Sequence, residues 1–354
     1  MLAVLVVLAG IALGASAWVS RPLFSEILDP ATLAQVEIAP PDEALSFARY
    51  RAADGSLRLL LVTAMSDGTV TGLELDAAGA APAGDPIALY REFGYDAIAA
   101  LATVGAVPVT VPVSQLALPF DARAHNVAIG ANFSEHARES QIEDSPFVFP
   151  KLAQPTLWSS EVTRAPSTLL DYEAELGLVL IDDLRGAPQQ PRMGLVLANE
   201  LTDRWALVKN LKAGSTMGTT GFVDGKSREG FAPIGPLLVI PRDLEGFVAR
   251  LELALWVNGR LRQRDGTANM TWGPSQILRE VFGRSALRYR HGNGAVPLLP
   301  GIDLLPAGTI IFAGTPAGVV FKPLNLWNPW VYLRPGDEVV VRGRFLGTIT
   351  NRIR

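Results

Sequence analysis

The sequence predicts an α+β protein that is mostly β, with short strands packed as a sandwich or barrel and a few helices. Three observations support this prediction. Hydrophobic residues make up 49% of the 354 residues and charged residues only 19%, which favours a large core and argues against disorder. Many short apolar runs are separated by turns, and 33 glycines and 26 prolines supply those turns. The length allows one large domain and a smaller appendage.

Composition also excludes several classes of function. The net charge is -4 and no basic run stands out, so we expect no nucleic-acid partner. The chain has no cysteine, which excludes thiolate metal sites, a cysteine nucleophile and disulfides. It also lacks a Gly-x-Ser-x-Gly elbow, a His-Glu-x-x-His motif and a phosphate-binding P-loop.

The first 19 residues differ in kind from the rest. Residues 1–19 carry no charged side chain and predict a hydrophobic helix about 28 Å long, close to the thickness of a bilayer core. Such a segment predicts a single-span membrane anchor or, as the alternative, an export signal cleaved after Ala17. Arg21 follows the run, and the positive-inside tendency then favours a cytoplasmic C-terminal domain. We therefore expect a membrane-associated protein, with export as the alternative.

The remaining chain divides into two predicted domains. Residues 20–115 predict a linker and a small N-terminal α+β domain, with a hairpin turn at Asp54-Gly55. Residues 116–354 predict the larger catalytic domain, in which short apolar strands alternate with turns. The helix and the clearest strands are expected at 88–101, 195–198, 237–240, 251–257, 309–312 and 338–341.

Three acidic side chains alternate with apolar ones between Leu169 and Leu180. A period of two predicts one strand with Asp171, Glu173 and Glu175 on the same face. Neighbours on that face lie ~6.6 Å apart and repel by roughly 2–3 kcal/mol at an effective dielectric of about 20. In a buried strand a cation would offset this repulsion, and oxygen ligands suit Mg²⁺, Mn²⁺ or Ca²⁺. The alternative is a solvated edge strand with an acidic outer face.

One of the three histidines has a carboxylate one helical turn away. His136 precedes Glu139 by three residues, so the two side chains share a face of a short helix. The carboxylate can orient the imidazole and stabilise its protonated form, as a base that activates water requires. Helical His/Glu pairs are also common on surfaces, so the pair alone is compatible with a catalytic role and with an ordinary surface pair.

Eight motifs follow one another in order between residues 127 and 351. They are Gly130-x-Asn132-Phe-x-x-His136-x-x-Glu139, Pro146-x-x-Phe149-x-Lys151, Asp171-Tyr-Glu-x-Glu-Leu176, Asn199-Glu-x-Thr-x-Arg204, Gly225-Lys-Ser227 with Ala232-Pro-x-Gly-Pro236, Val257-Asn-Gly259 with Gln263, Ala313-Gly-Thr-Pro-Ala-Gly318, and Arg334-Pro-Gly-Asp337. In this series the chain resembles the fumarylacetoacetate hydrolase (FAH) family, particularly its acylpyruvate hydrolase and oxaloacetate decarboxylase branch. The resemblance implies a mixed β-sandwich roll, usually homodimeric and often preceded by a small N-terminal domain.

The resemblance implies a metal site. Glu173 and Glu175 match two metal ligands, and Glu200 stands where the family's third ligand is an aspartate. Glutamate keeps the charge and adds one methylene. Asp171 matches the acid before the tyrosine, which would support the ligands without contacting the metal. The expected cofactor is Mg²⁺ or Mn²⁺, with Ca²⁺ as an alternative.

The resemblance also implies the catalytic and substrate-binding residues. His136 and Glu139 match a water-activating pair on a lid, and Lys226 matches the lysine that neutralises the substrate carboxylate or enolate. A glutamine frequent in the family is replaced by Leu207. The matched substrate contacts are Asn132, Arg204 and Thr315.

These roles imply a divalent-metal-dependent hydrolase that cleaves a C–C bond in a 3-acylpyruvate-type 2-oxo acid. An oxo-acid decarboxylase, or an isomerase or hydratase of 2-hydroxy-dienoates, would stabilise an enolate with the same metal. Both remain alternatives to the hydrolase. A further alternative is a membrane-tethered, metal-dependent binding protein with degraded catalysis. Glu200 and the missing glutamine favour that alternative, and the His136/Glu139 pair opposes it. The expected partners are a small 2-oxo acid, a second copy in a homodimer, and a membrane through residues 1–19.

Overall fold

The computed structural model describes residues 2–21, 24–29, 35–66, 68–75, 84–102, 107–142, 145–322, 325–326 and 328–354. Its helices are α1 (Leu2–Val19), α2 (Pro86–Leu101), α3 (Ser134–Glu139), α4 (Arg204–Lys209), α5 (Phe222–Lys226), α6 (Leu244–Val248) and α7 (Pro274–Gly283). Strands outnumber helices, which confirms the prediction of a mostly β protein of the α+β class.

The strands in chain order are β1 (Gln35–Val36), β2 (Ala44–Arg51), β3 (Leu57–Ser66), β4 (Thr69–Glu74), β5 (Val109–Pro112), β6 (Asn126–Gly130), β7 (Phe147–Lys151), β8 (Glu161–Val162), β9 (Leu170–Asp171), β10 (Ala174–Leu180), β11 (Met193–Asn199), β12 (Thr202–Asp203), β13 (Leu238–Pro241), β14 (Glu252–Val257), β15 (Arg260–Gly266), β16 (Arg288–His291), β17 (Gly294–Pro297), β18 (Ile310–Phe312), β19 (Glu338–Gly343) and β20 (Gly347–Ile353).

An eleven-stranded sheet forms the body of the protein. Its order is β5-β4-β3-β2-β13-β11-β10-β18-β6-β7, with β1 paired to β3. Every residue of β10, β11 and β13 is buried, as their nearly continuous apolar sequences predict for strands covered on both faces. β10 pairs antiparallel with both neighbours, whereas β18 pairs in parallel with β6. These central strands hold the site described below.

A second sheet, of order β15-β14-β19-β20-β8, packs on the first. Its strands β14, β19 and β20 contact β10 and β11, and the core lies between the two layers. Gly343 in β19 allows a close approach, because a Cβ there would lie 2.9 Å from Leu197 Cδ1. The two packed layers agree with the predicted sandwich.

The N-terminal strands share the large sheet with the catalytic strands. β2 pairs antiparallel with β13, from Phe47 opposite Leu238 to Ala44 opposite Pro241. The sheet is therefore continuous across residue 115, where the sequence predicts a domain boundary. The division into two domains stays a prediction.

The N-terminal segment differs from its prediction. α1 covers Leu2–Val19, but among the described residues no helix is both long and apolar enough to cross a membrane. The end of α1 instead contacts the protein body: Ser16 is buried, and its hydroxyl donates to Asn325 Oδ1 at 3.0 Å. Arg262 also donates to the carbonyl of Ser20. The prediction of a membrane-spanning helix at residues 1–19 is therefore wrong. The predicted membrane association through this segment is wrong for the same reason.

Candidate active site

The three predicted metal ligands meet where β11 ends and β10 begins. The antiparallel register places Ala174 opposite Asn199, so Glu173, Glu175 and Glu200 converge although Glu200 is distant in sequence. One carboxylate oxygen from each residue lies within 4.8 Å of the other two. All three side chains are at most 3% exposed, which excludes the alternative of a solvated acidic edge.

The acidic strand is broken into two pieces, β9 and β10, where the sequence predicts one. Side chains replace the sheet partners at the break: the backbone N–H of Glu173 donates to Asn199 Oδ1 and that of Ala174 to Gln263 Oε1. The break separates Asp171 from the other acids. The carboxylate of Asp171 accepts hydrogen bonds from the backbone N–H groups of Val320 and Phe321. It lies outside the cluster of three carboxylates.

Buried cations surround the carboxylate cluster. Lys226 Nζ, at the end of α5, lies 2.7 Å from Glu173 Oε2 and 2.5 Å from Glu200 Oε2. Arg204, at the start of α4, donates to Glu173 Oε1 at 2.6 Å and to Asp171 Oδ2 at 2.8 Å. Both side chains are thus held by carboxylates and contribute fixed positive charge.

Two glutamates of the cluster have pKa values that are shifted in opposite directions. Burial alone would raise the pKa of Glu173, but the charges of Lys226 and Arg204 outweigh it and lower that pKa well below its ordinary value. Burial and the charges of Glu200 and Glu173 raise the pKa of Glu175 well above its ordinary value. Ionising Glu175 would therefore place more negative charge in the cluster than Lys226 and Arg204 neutralise.

Lys151 is a site residue to which the sequence interpretation gave no role. It ends β7 and is fully buried, and its Nζ donates to the carbonyl of Phe231 at 2.9 Å and lies 3.4 Å from Glu200 Oε1. Burial lowers its pKa to about 8, against the opposing charge of Glu200. A lysine at the end of an apolar strand could have identified it from the sequence, because lysine is rarely buried unless it is paired.

His136 and Glu139 lie together on α3, as predicted. His136 Nδ1 is 3.5 Å from Glu139 Oε2, and its Nε2 is 3.5 Å from Ser140 Oγ. Glu139 also accepts from the backbone N–H of Gly318 and pairs with Lys322 at 3.2 Å. Burial would raise the pKa of Glu139, but His136, this N–H and Lys322 together lower it. The carboxylate is therefore anionic beside the imidazole.

One cavity lies between His136 and two carboxylates of the cluster, Glu173 and Glu175. The polar side chains that line it are His136, Ser140, Glu173, Glu175, Arg204, Lys226 and Thr315.

Two predicted substrate contacts have different surroundings. Thr315 lines the cavity, and its hydroxyl accepts from Gln263 Nε2 at 2.9 Å. Asn132 is fully buried, with its amide hydrogen-bonded to the backbone of Trp272 and Ala313. Asn132 therefore connects three segments around the site, and its predicted contact with substrate stays a prediction. Gln263, whose Oε1 also accepts from the backbone N–H of Ala174, is a site residue that the sequence shows only as part of a motif.

The chain is similar to two named enzymes. A 2,4-didehydro-3-deoxy-L-rhamnonate hydrolase from Sphingomonas sp. (strain SKA58) is 29% identical over 269 residues, which are 73% of this chain and 83% of that protein. A mitochondrial oxaloacetate tautomerase from Bos taurus is 27% identical over 237 residues, 64% of this chain and 65% of that protein.

The fold and the family agree with these relatives. The structure of a fumarylacetoacetate hydrolase from Exiguobacterium antarcticum matches with a TM-score of 0.63 and 22% identity, covering 88% of this chain and 99% of that one. At this identity the match shows a shared fold. The family model of the fumarylacetoacetate (FAA) hydrolase C-terminal domain matches residues 125–354, well over half of the sequence, and the chain therefore belongs to the fumarylacetoacetate hydrolase family.

Proposed function

We propose that this protein is a divalent-metal-dependent hydrolase that cleaves a C–C bond in a 3-acylpyruvate-type 2-oxo acid. The observation that carries the proposal is the shared cavity: Glu173 and Glu175, from the buried cluster of three carboxylates, and His136, from the His/Glu pair, line the same space. Membership of a family of enzymes that act on small substrates supports it.

The residues fit a divalent cation. Glu200 Oε1 is buried and accepts no hydrogen bond, with Lys151 Nζ 3.4 Å away, and burial together with the charges of Glu200 and Glu173 raises the pKa of Glu175. All three candidate ligands are oxygen donors, which suit Mg²⁺ or Mn²⁺. When bound there, such an ion would supply Lewis acidity to the carboxylate and oxo oxygens of the substrate. Four buried carboxylates face three buried cations: Asp171, Glu173, Glu175 and Glu200 against Lys151, Arg204 and Lys226.

His136 would take a proton from the attacking water. The nearby Glu139 carboxylate, kept anionic by its lowered pKa, stabilises the imidazolium that forms. The water oxygen then bonds to the distal carbonyl carbon of the acylpyruvate, and the bond between C3 and C4 breaks. The products are pyruvate, formed through its enolate, and the carboxylic acid of the acyl group.

Lys226 would stabilise the negative charge that develops on the enolate. Burial lowers its pKa, but Glu173 and Glu200 outweigh burial and raise it, so the ammonium keeps its charge. A preorganised charge in a water-poor cavity stabilises a transition state more than one in water does. Thr315, whose hydroxyl is oriented by Gln263, would contact the carboxylate or oxo group of the substrate. Asn132 would position the loop before Thr315 through its hydrogen bond to the carbonyl of Ala313.

Pyruvate release tests the proposal directly. Acetylpyruvate, a longer acylpyruvate and oxaloacetate are incubated with the purified protein and Mg²⁺ or Mn²⁺, and pyruvate is measured with a coupled dehydrogenase. We expect release from the acylpyruvates that depends on the ion and stops with a chelator. Release from none of the acylpyruvates under either ion would contradict the hydrolase proposal.

Proton transfer within an oxo acid, leading to tautomerisation or decarboxylation, is the second candidate. The buried Lys151 supports it, because burial lowers its pKa to about 8, near neutral pH. Lys151 does not line the cavity, but its Nζ lies 3.4 Å from Glu200 Oε1, and a proton would pass through that carboxylate without an activated water. The bovine relative is named as an oxaloacetate tautomerase. In the same panel, loss of the oxaloacetate enol absorbance without pyruvate would indicate a tautomerase, and pyruvate from oxaloacetate alone a decarboxylase.

The substitution Glu175→Gln is expected to abolish stabilisation by the ion and yet raise the stability of the metal-free protein by at least about 1 kcal/mol at neutral pH. Glutamine keeps the size and an acceptor but cannot ionise next to Glu173 and Glu200. Because the folded pKa of Glu175 lies above its ordinary value of 4.5, the native state holds the extra proton, and ionisation destabilises the wild type as pH rises.

The gap in stability between Glu175→Gln and the wild type should therefore widen as pH rises above about 4.5. Denaturant unfolding of both metal-free proteins at about pH 5 and about pH 8 measures it. An equal gap at both pH values, or a variant less stable than the wild type at the higher one, would show that Glu175 is not electrostatically strained.

A further inference from the structure

The cavity beside the carboxylate cluster has one wall that is almost entirely apolar. Apart from His136, Ser140 and Thr315, the described side chains that line it away from the cluster and its cations carry no polar group. The principal ones are Leu207, Phe147, Phe149, Phe222, Phe321 and Ile142.

Packing fixes this wall in place. The ring centroid of Phe147 lies 4.7 Å from that of Phe222 in an edge-to-face contact, and Phe149 lies 5.2 Å from Phe222. Phe147 also presses on Gly130 so closely that no side chain would fit there, and a Cβ on Gly218 would lie 2.8 Å from its ring. Interlocked rings of this kind offer a preformed apolar surface to a ligand.

The two cations in the cavity are already committed to carboxylates. Arg204 donates to Asp171 and Glu173, and Lys226 to Glu173 and Glu200. Arg204 also lies 5.1 Å from the ring centroid of Phe321, and Lys226 lies 5.9 Å from that of Phe149, so the wall borders both cations. A second anionic group on a ligand would have to compete for them with the buried carboxylates that already accept their hydrogen bonds.

The histidine side of the cavity disfavours an anion as well. Glu139, with its lowered pKa, lies 3.5 Å from His136. Its own cation, Lys322, is paired with it at 3.2 Å. A carboxylate placed beyond His136 would meet this negative charge and the partly buried Ile142.

We propose that the site selects 2-oxo acids whose distal group is apolar, either aliphatic or aromatic, and discriminates against those with a second carboxylate. The inference rests on the proposed function only in placing the 2-oxo acid end at the carboxylate cluster. The distal group then lies against Leu207 and the phenylalanine rings.

Two ligands with the same carbon skeleton test the selectivity. 2-Oxohexanoate and 2-oxoadipate differ only at the sixth carbon, which is a methyl group in one and a carboxylate in the other. Calorimetric titration of the full-length protein in Mn²⁺ should show 2-oxohexanoate binding at least ~10-fold more tightly. Equal or tighter binding of 2-oxoadipate would overturn the proposal, and so would binding of neither acid.

These outcomes are separable from failure of the hydrolase proposal. Binding preference is measured without turnover, so a preference for 2-oxohexanoate with no pyruvate released would refute the reaction and keep the inference. Pyruvate release with no such preference would do the reverse.

Leu207→Gln places a polar group in the apolar wall at similar volume, and should reduce the preference from ~10-fold to within about 2-fold. Leu211→Gln is the matched control, because Leu211 is exposed and outside the cavity lining; it should keep the wild-type ratio. Phe222→Tyr adds one hydroxyl to the same wall and replaces Leu207→Gln if that variant does not fold. An unchanged ratio in a folded wall variant would overturn the assignment of this wall to the distal group.

Discussion

Replacing Glu173 with alanine is expected to abolish stabilisation by Mg²⁺ or Mn²⁺ and to destabilise the metal-free protein by about 3–5 kcal/mol. Glu173 is 3% exposed and accepts charge-assisted hydrogen bonds from Arg204 and Lys226. Its removal takes away one candidate ligand and leaves two buried cations with one partner fewer. Both losses have the same origin, since the carboxylate serves the fold and the ion together.

Thermal unfolding with and without each ion measures both effects. In the wild type, an ion at about 100 times its Kd should add about 2.7 kcal/mol, because it binds only the folded state. Glu43→Ala is the control: Glu43 pairs with Arg250 at the surface, so its loss should cost less than about 1 kcal/mol and keep the response. Glu173→Gln extends the test if the alanine variant is too unstable to purify.

The metal proposal fails if the wild type shows no shift in melting temperature with either ion, or if the Glu173 variants respond as the wild type does. If the Glu173 variants lose stability but keep the shift in melting temperature with the ion, Glu173 is only an ion-pair partner of Arg204 and Lys226.

His136→Ala is expected to lower turnover of an acylpyruvate by ~10²–10⁴-fold, the usual contribution of a general base. The imidazole lines the cavity but is not one of the clustered carboxylate ligands, so folding and the response to Mn²⁺ should stay near those of the wild type. His291→Ala is the matched control. His291 is exposed and pairs with Asp224 at 3.1 Å, outside the cavity lining, and its loss should leave turnover unchanged.

Steady-state kinetics and melting curves of the two histidine variants decide the matter. If His136→Ala keeps wild-type turnover, His136 has no part in the mechanism. That outcome would move the protein towards a decarboxylase or tautomerase that needs no activated water.

The sequence predicts well those features that depend on local pattern. The strands expected at 195–198, 237–240, 251–257, 309–312 and 338–341 correspond to β11, β13, β14, β18 and β19 within a few residues, and the helix at 88–101 to α2. The spacing of Glu173 and Glu175 predicts that they act together, the family resemblance adds Glu200, and the structure brings all three into one cluster. The homodimer stays a prediction.

Features that depend on distant partners are less predictable. The break between β9 and β10 arises because Asn199 and Gln263 accept the hydrogen bonds of Glu173 and Ala174, and no local pattern reveals that pairing. Lys151 shows the same limit, since its partner Glu200 comes from another strand end. Hydropathy likewise ignores the contact between Ser16 and Asn325, which attaches the end of α1 to the body.

The pairing of β2 with β13 also determines the order in which the protein can be completed on a ribosome. Roughly 190 residues separate the two strands, and at about 5–20 residues per second the ribosome needs roughly 10–40 s to make them. Meanwhile one edge of β2 has unpaired backbone groups, on a strand whose first seven residues are buried in the finished protein. Any pause in translating the middle of the message lengthens the time during which this edge can pair with another nascent chain.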